Sequence, residues 1–154
     1  YVQDGVIPRS SLPEVLDKIA QVGRKFSLTV ANVFHAGDGN LHPLILYRYD
    51  IPEEVENAHL AGEEILSICV DYGGSLSGEH GIGLEKASWM DSLYSSEDLE
   101  NMIRVREFFN PGELLNPGKI FPQPGRCAEV KHPAAIPEGI EKPRMVAAKS
   151  GIAV

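Results

Sequence analysis

Cysteine is scarce in this chain. Only Cys69 and Cys127 occur in 154 residues, and they lack the close spacing of a metal knuckle or the density of a disulfide framework. Cys69 falls on the apolar stripe of an expected helix and reads as a buried free thiol, which suits a reducing cytoplasm. Positive charge is also in short supply. The chain has 14 Lys and Arg against 22 Asp and Glu, a net charge of −8. Binding a nucleic-acid backbone needs clustered Lys and Arg, so the balance counts against nucleic acid as a partner. No apolar run approaches the ~20 residues of a transmembrane helix, and no secretory signal opens the chain. No Gly-rich loop follows a strand and opens a helix in the manner of a dinucleotide fingerprint. There is no internal repeat and no low-complexity tract. An initiator Met is missing too: the chain opens directly on Tyr1-Val-Gln-Asp-Gly-Val-Ile7, a strand pattern with no lead-in, as expected of a piece of a longer protein.

What is present is enough for one core or two small subdomains, with 43% hydrophobic residues. A strand is expected over 1–7. A helix follows over 12–26, with Ser11-Leu-Pro-Glu14 matching a capping box and Leu12, Val15, Leu16, Ile19, Gly23 and Phe26 on one face. Strands are expected over 28–35 and 42–49. A second helix covers 52–72, opened by the box-like Asp50-Ile-Pro-Glu53 and ended by Gly73-Gly74. Ser75-Leu-Ser77 is a short strand candidate. The order β-α-β-β-α-β predicts an α+β fold, ferredoxin-like, with an antiparallel sheet and both helices on one face. Two further helices are expected over 83–92 and 96–109, the second signalled by Ser95-Ser-Glu-Asp98. Residues 123–154, rich in Pro and without a sustained period, read as an irregular tail.

Two short Gly-rich segments carry the chemistry: His35-Ala-Gly-Asp-Gly-Asn-Leu-His42 and Gly78-Glu-His-Gly-Ile-Gly83. Asp38-Gly39 is a strong two-residue hairpin signal. With that turn, His35 faces His42 across the ladder, with Cβ atoms about 4.5–5.5 Å apart, and one ion could bridge the two rings. Glu79 would add a carboxylate. Neighbouring residues on an extended segment point to opposite faces, so Glu79 and His80 suit different roles, one a ligand and the other an acid/base group. Two His and one carboxylate leave coordination positions open, as catalytic sites do. The plainer alternative is a hydrogen-bonded cross-strand His pair beside a surface loop. Asp38 and Asn40 are turn residues first. Arg9 and Lys119 are anion-binding candidates or ordinary surface charges. His59 and His132 read as solvated.

Together with Leu115-Asn-Pro-Gly-Lys119, Asp4-Gly-Val-Ile-Pro-Arg9, Val30-Ala-Asn-Val-Phe34 and Arg126-Cys-Ala-Glu129, these segments resemble the C-terminal part of FAD-linked oxidases of the vanillyl-alcohol oxidase superfamily, in the branch of glycolate oxidases and D-lactate and D-2-hydroxyglutarate dehydrogenases. The resemblance runs over residues 1–130. It implies a cap over the substrate, with FAD held mainly by an N-terminal domain outside this chain. It implies a ferredoxin-like half over 1–82, a helical segment with the Asn116–Lys119 return over 83–122, and the tail over 123–154. It implies a divalent ion, often zinc, on His35, His42 and Glu79, with His80 as the base and Asn116 and Lys119 toward the flavin. The substrate it implies is a small 2-hydroxy acid such as glycolate or lactate, oxidised to the 2-oxo acid. Relatives acting on longer dicarboxylates carry an amide two residues after the second His, where this chain has Leu44. Partners implied are the chain's own FAD domain and other oxidase subunits, including an iron–sulfur subunit. The location implied is cytoplasmic, peripheral to the inner membrane through those subunits. The chain alone is expected to be inactive and to self-associate. The rival expectation is a non-enzymatic ferredoxin-like module that binds a metal or ligand.

Overall fold

The computed structural model describes residues 1–122, and the expected tail over 123–154 lies outside the described residues. The chain forms two compact units, residues 1–81 and 82 onward. The first contains β1 (Gly5–Val6), α1 (Leu12–Lys25), β2 (Thr29–His35), β3 (Asn40–Leu46) and α2 (Pro52–Asp71). The three strands make an antiparallel sheet in the order β1-β3-β2. The fold is α+β, as expected.

The core lies on one face of this sheet. Val15, Ile19 and Val22 of α1 and Ala58, Ala61, Ile65 and Cys69 of α2 pack with Leu41 and Ile45 of β3. The alternate positions on β3, Asn40, His42 and Leu44, therefore face the other way, because side chains alternate along a strand. Helix α2 ends in paired bonds from Gly73 N–H to the Val70 carbonyl and from Gly74 N–H to the Cys69 carbonyl, the closing turn expected of a glycine past a helix end.

Two strands are shorter than the sequence pattern suggests, each for a local reason. The strand expected over 1–7 keeps a ladder only at Gly5–Val6, plus a bridge from Val2 to Leu44. Between them Gln3 donates its N–H to Pro43, but Pro43 has no N–H to return. The strand expected over 75–77 contracts to one bridge, Val6 to Ser75. Beyond it, the amides of Gly78, Glu79 and His80 turn to the Asp4 carboxylate instead of a strand partner.

Two of the three expected caps differ. A 3-10 turn over Arg9–Ser11 leads into α1, so Ser11 is already helical and its side chain caps nothing. At α2 the N-cap is Ile51, and Glu54 accepts from the Arg48 N–H (2.7 Å) and guanidinium instead.

The second unit has a 3-10 turn over Ala87–Trp89, the single-turn α3 (Met90–Leu93) and α4 (Ser96–Phe109). The helix expected over 83–92 is thus mostly turns. Helix α4 carries the full capping box: Asp98 N–H donates to the Ser95 hydroxyl and Ser95 N–H to the Asp98 carboxylate. Among the described residues no helix is long and apolar enough to cross a membrane.

Candidate metal centre

The β2–β3 hairpin sets the first two side chains. Its loop is wider than the Asp-Gly signal implies. His35 accepts from both Asp38 N–H and Gly39 N–H at 3.0 Å, which makes a four-residue loop over 36–39. Gly39 accepts from Ile7 N–H through its carbonyl at 3.0 Å. It has φ +74°, and a Cβ there would lie 2.1 Å from the Ile7 carbonyl oxygen, so only glycine fits. The register is His35 opposite Asn40 and Val33 opposite His42, which corrects the expected His35–His42 pairing. The correction amounts to two residues. Since strand side chains alternate with period two, a shift of two keeps both rings on one face. They sit edge to face with centroids 5.5 Å apart.

The loop after α2 brings the third group. Glu79 places one carboxylate oxygen 3.3 Å from His35 Nε2 and the other 3.7 Å from His42 Nε2. One donor atom from each of the three residues lies within 4.8 Å of the others. Two ligands about 2.1 Å from a tetrahedral ion are about 3.4 Å apart, close to the two carboxylate–imidazole distances. The His80 ring does not join this set. It stacks on His42 at 4.9 Å, with planes 19° apart. Glu79 and His80, adjacent in sequence, occupy different sides of His42.

His42 is buried, while His35 and Glu79 are half-exposed. Its Nδ1 faces the Asp4 carboxylate at 3.9 Å, and the Asn40 side-chain amide lies 3.4 Å from its Nε2. A proton on Nδ1 facing Asp4 leaves the Nε2 lone pair on the Glu79 side, the tautomer a metal ligand needs. His42 Nδ1 and Asn40 Oδ1 are buried without a hydrogen-bond partner. These features fit a divalent ion.

Asp4 is the residue that the sequence pattern did not single out as functional. Its side chain is fully buried. It accepts from the Ser77 hydroxyl at 2.6 Å and from the backbone amides of Gly78, Glu79 and His80 at 2.9–3.2 Å. Burial pushes its pKa up, but the bonds from Ser77, His80, Glu79 and Gly78 outweigh it and hold the carboxyl well below the usual carboxylate range. The signal available in the sequence was an acidic residue inside a strand pattern bound for burial. Gly78 is needed beside it, because a Cβ there would meet Val6 and Asn40 side-chain atoms at 2.7–2.8 Å.

The other candidates lie elsewhere. Arg9 is exposed and its guanidinium donates to the Gly37 carbonyl at 3.3 Å. His59 packs its ring 5.3 Å from Tyr1. Asn116 and Lys119 belong to the second unit, in a turn where Asn116 has φ +47°. There the Arg106 guanidinium donates to the carbonyls of Leu115 (3.2 Å), Asn116 (2.6 Å) and Lys119 (2.6 Å), and its face covers the Phe121 ring. The Asn110 side chain brackets Leu115 with a donated and an accepted bond, both 3.1 Å.

The family model described as FAD linked oxidases, C-terminal domain, matches residues 1–120. The chain is 50% identical over 129 residues to the glycolate oxidase subunit GlcD of Escherichia coli, which is 84% of this chain and 26% of that protein. It is 32% identical to the glycolate oxidase subunit GlcD of Bacillus subtilis, over 81% of this chain and 27% of that one. It is 33% identical to a D-lactate dehydrogenase of Archaeoglobus fulgidus, over 77% of this chain and 26% of that one. The chain thus spans about a quarter of the length of these curated relatives.

Proposed function

This chain belongs to the family of C-terminal domains of FAD-linked oxidases, and on that premise we propose that it is the substrate- and metal-binding cap of an FAD-dependent 2-hydroxy acid oxidoreductase. The observation that carries the reading is the convergence of donor atoms of His35, His42 and Glu79 within 4.8 Å, with a third imidazole, His80, stacked on His42. The proposed substrate is glycolate or D-lactate, which becomes the 2-oxo acid.

In this reading His35, His42 and Glu79 hold a divalent ion such as zinc, and FAD lies mainly on a part of the protein outside this chain, with Asn116 and Lys119 turned toward it. When bound, the ion would supply Lewis acidity toward the 2-hydroxy acid and the flavin a two-electron acceptor. His80 takes the hydroxyl proton as general base. Its ring stacks on His42, and its backbone N–H is tied to Asp4. With its proton on Nδ1 toward Asp4, His42 would offer Nε2 to the ion in place of its contact with the Asn40 amide. Glu79 and His35 are the exposed members and leave the open side on which a substrate enters. Leu44 follows His42 by two residues on the same face, and Val2 lies opposite it. That apolar pair gives no partner for a second carboxylate and favours a small 2-hydroxy acid. Further oxidase subunits, an iron–sulfur subunit among them, and a cytoplasmic site peripheral to the inner membrane complete the proposal.

The test is flavin reduction in the full-length protein against a panel of 2-hydroxy acids, with His35→Ala alongside. Wild type is expected to reduce its flavin with glycolate or D-lactate and to slow sharply with longer dicarboxylates. His35→Ala is expected to lose bound metal and most of the rate, without rescue by added zinc, because a ligand is missing rather than a cation. A His35→Ala protein that keeps both metal and rate would return the His pair to a plain cross-strand contact.

A further inference from the structure

The buried carboxylate of Asp4 sits where two parts of the site meet. The β1–β3 register, Gly5 opposite Leu41 and Val6 opposite Asn40, places Asp4 opposite His42 on the same face. One oxygen, Oδ2, collects Ser77 Oγ (2.6 Å), Gly78 N–H (3.1 Å), Glu79 N–H (3.1 Å) and His80 N–H (2.9 Å). The other, Oδ1, takes a second contact from Gly78 N–H (3.2 Å) and faces His42 Nδ1 at 3.9 Å. Three successive amides pointing inward form the concave nest that elsewhere binds an anion from solution. Here the chain supplies the anion itself. Ser77 locks the turn further by accepting from Gly81 N–H at 2.7 Å.

This arrangement does more than cap a loop. Residues 76–80 form no ladder beyond the Ser75 bridge, so no sheet partner fixes where Glu79 and His80 point. Asp4 is bonded to the backbone of both residues and faces the ring of the third group, His42. We propose that Asp4 is a positioning residue that sets the Glu79 carboxylate, the His80 ring and the His42 tautomer in one geometry. The proposal deepens the metal-site reading above and rests on it.

The experiment compares Asp4→Asn with Ser77→Ala in the full-length protein, using zinc alone as the probe in chelator competition, followed by flavin reduction. The amide of Asp4→Asn keeps the volume but removes the charge and presents N–H to amides that need an acceptor. Its zinc affinity is expected to fall about 10–100-fold, the usual effect of losing an outer partner of a metal ligand. The reduction rate should fall with it at saturating substrate. Ser77→Ala keeps the carboxylate and all three amide bonds and should lose less than tenfold in affinity. An Asp4→Asn protein with a lowered melting temperature but unchanged zinc affinity and rate would overturn the proposal, because a merely structural role gives that pattern. Should Asp4→Asn fail to fold, hydrogen exchange in wild type decides. The Gly78, Glu79 and His80 amides are expected to exchange slowly although they lie outside any ladder, and exchange at free-peptide rates would overturn the proposal. Failure of wild type to bind zinc would overturn the metal reading instead, a distinguishable result.

Discussion

Three histidine rings meet on one face of the sheet, and each is placed by a different kind of constraint. His35 is held by strand register, His42 by register and burial, and His80 by a loop whose amides are tied to Asp4. That division separates their expected mutational signatures. His80→Asn in the full-length protein should leave FAD and metal bound and lower the rate of flavin reduction by about 10²–10⁴, the usual worth of a general base. Asparagine retains a polar side chain of similar reach, so the loop backbone and its Asp4 bond are unaffected. Rapid-mixing measurement of flavin bleaching checks it, and a normal rate would remove His80 from the chemistry. At this scale the sequence was informative where a residue type is chemically costly. Two His in Gly-rich segments with a Glu-His pair were visible as candidate ligands and base. Asp4 was not, because its role depends on three backbone amides from more than 70 residues away, and no spacing rule reports those.

At the scale of elements, period-two reasoning survives an error in register. The Asp38-Gly39 signal suggested a turn two residues tighter than the one that forms, yet the two rings stay on one face because the error is even. The strands fell short where a single atom was missing or diverted: the absent N–H of Pro43, and amides 78–80 committed to Asp4. Caps show the same dependence on neighbours. Ser11 and Asp50 have the right chemistry, but a 3-10 turn and the Arg48–Glu54 pair intervene, whereas Ser95 and Asp98 meet no competitor. Asp98 therefore supplies a prediction. Its pKa is held below the ordinary carboxylate value by the Ser95 side-chain and backbone bonds. A depressed folded-state pKa contributes stability above the unfolded-chain value of about 4, which is lost as pH falls through the folded value. Ser95→Ala should cost α4 about 1 kcal/mol near neutral pH and flatten its acid dependence. Hydrogen exchange of the first-turn amides of α4 between pH 3 and 7 reads both effects, and an unchanged pH profile would show that the box does not hold this helix end.

Among the described residues, many large apolar side chains are exposed. In the first unit β3 is mostly buried as far as Ile45, but the neighbouring edge strand β2 is exposed at all but one position. Val33 and Leu46 are each more than half exposed, and Val2 nearly so, all on the face that carries the His triad. In the second unit Phe108, Phe109 and Leu114 are 73–85% exposed, and the two phenylalanine rings meet edge to face. Scattered exposed apolar side chains are ordinary, but contiguous patches of several hundred Å² drive association. The chain spans about a quarter of its relatives' length, and we assign these faces to contacts with the rest of the full-length protein. The consequence is testable without activity. The isolated chain of 154 residues should self-associate, with a sedimentation coefficient that rises with concentration across the micromolar range. Val33→Ser combined with Phe108→Ser should shift that curve toward monomer while far-UV circular dichroism stays unchanged, since neither side chain belongs to the core around Ile19, Ile45 and Ile65. A single monomeric species at every concentration would mean that these faces are tolerated in water as they stand, and the argument that they are docking faces would fall with it.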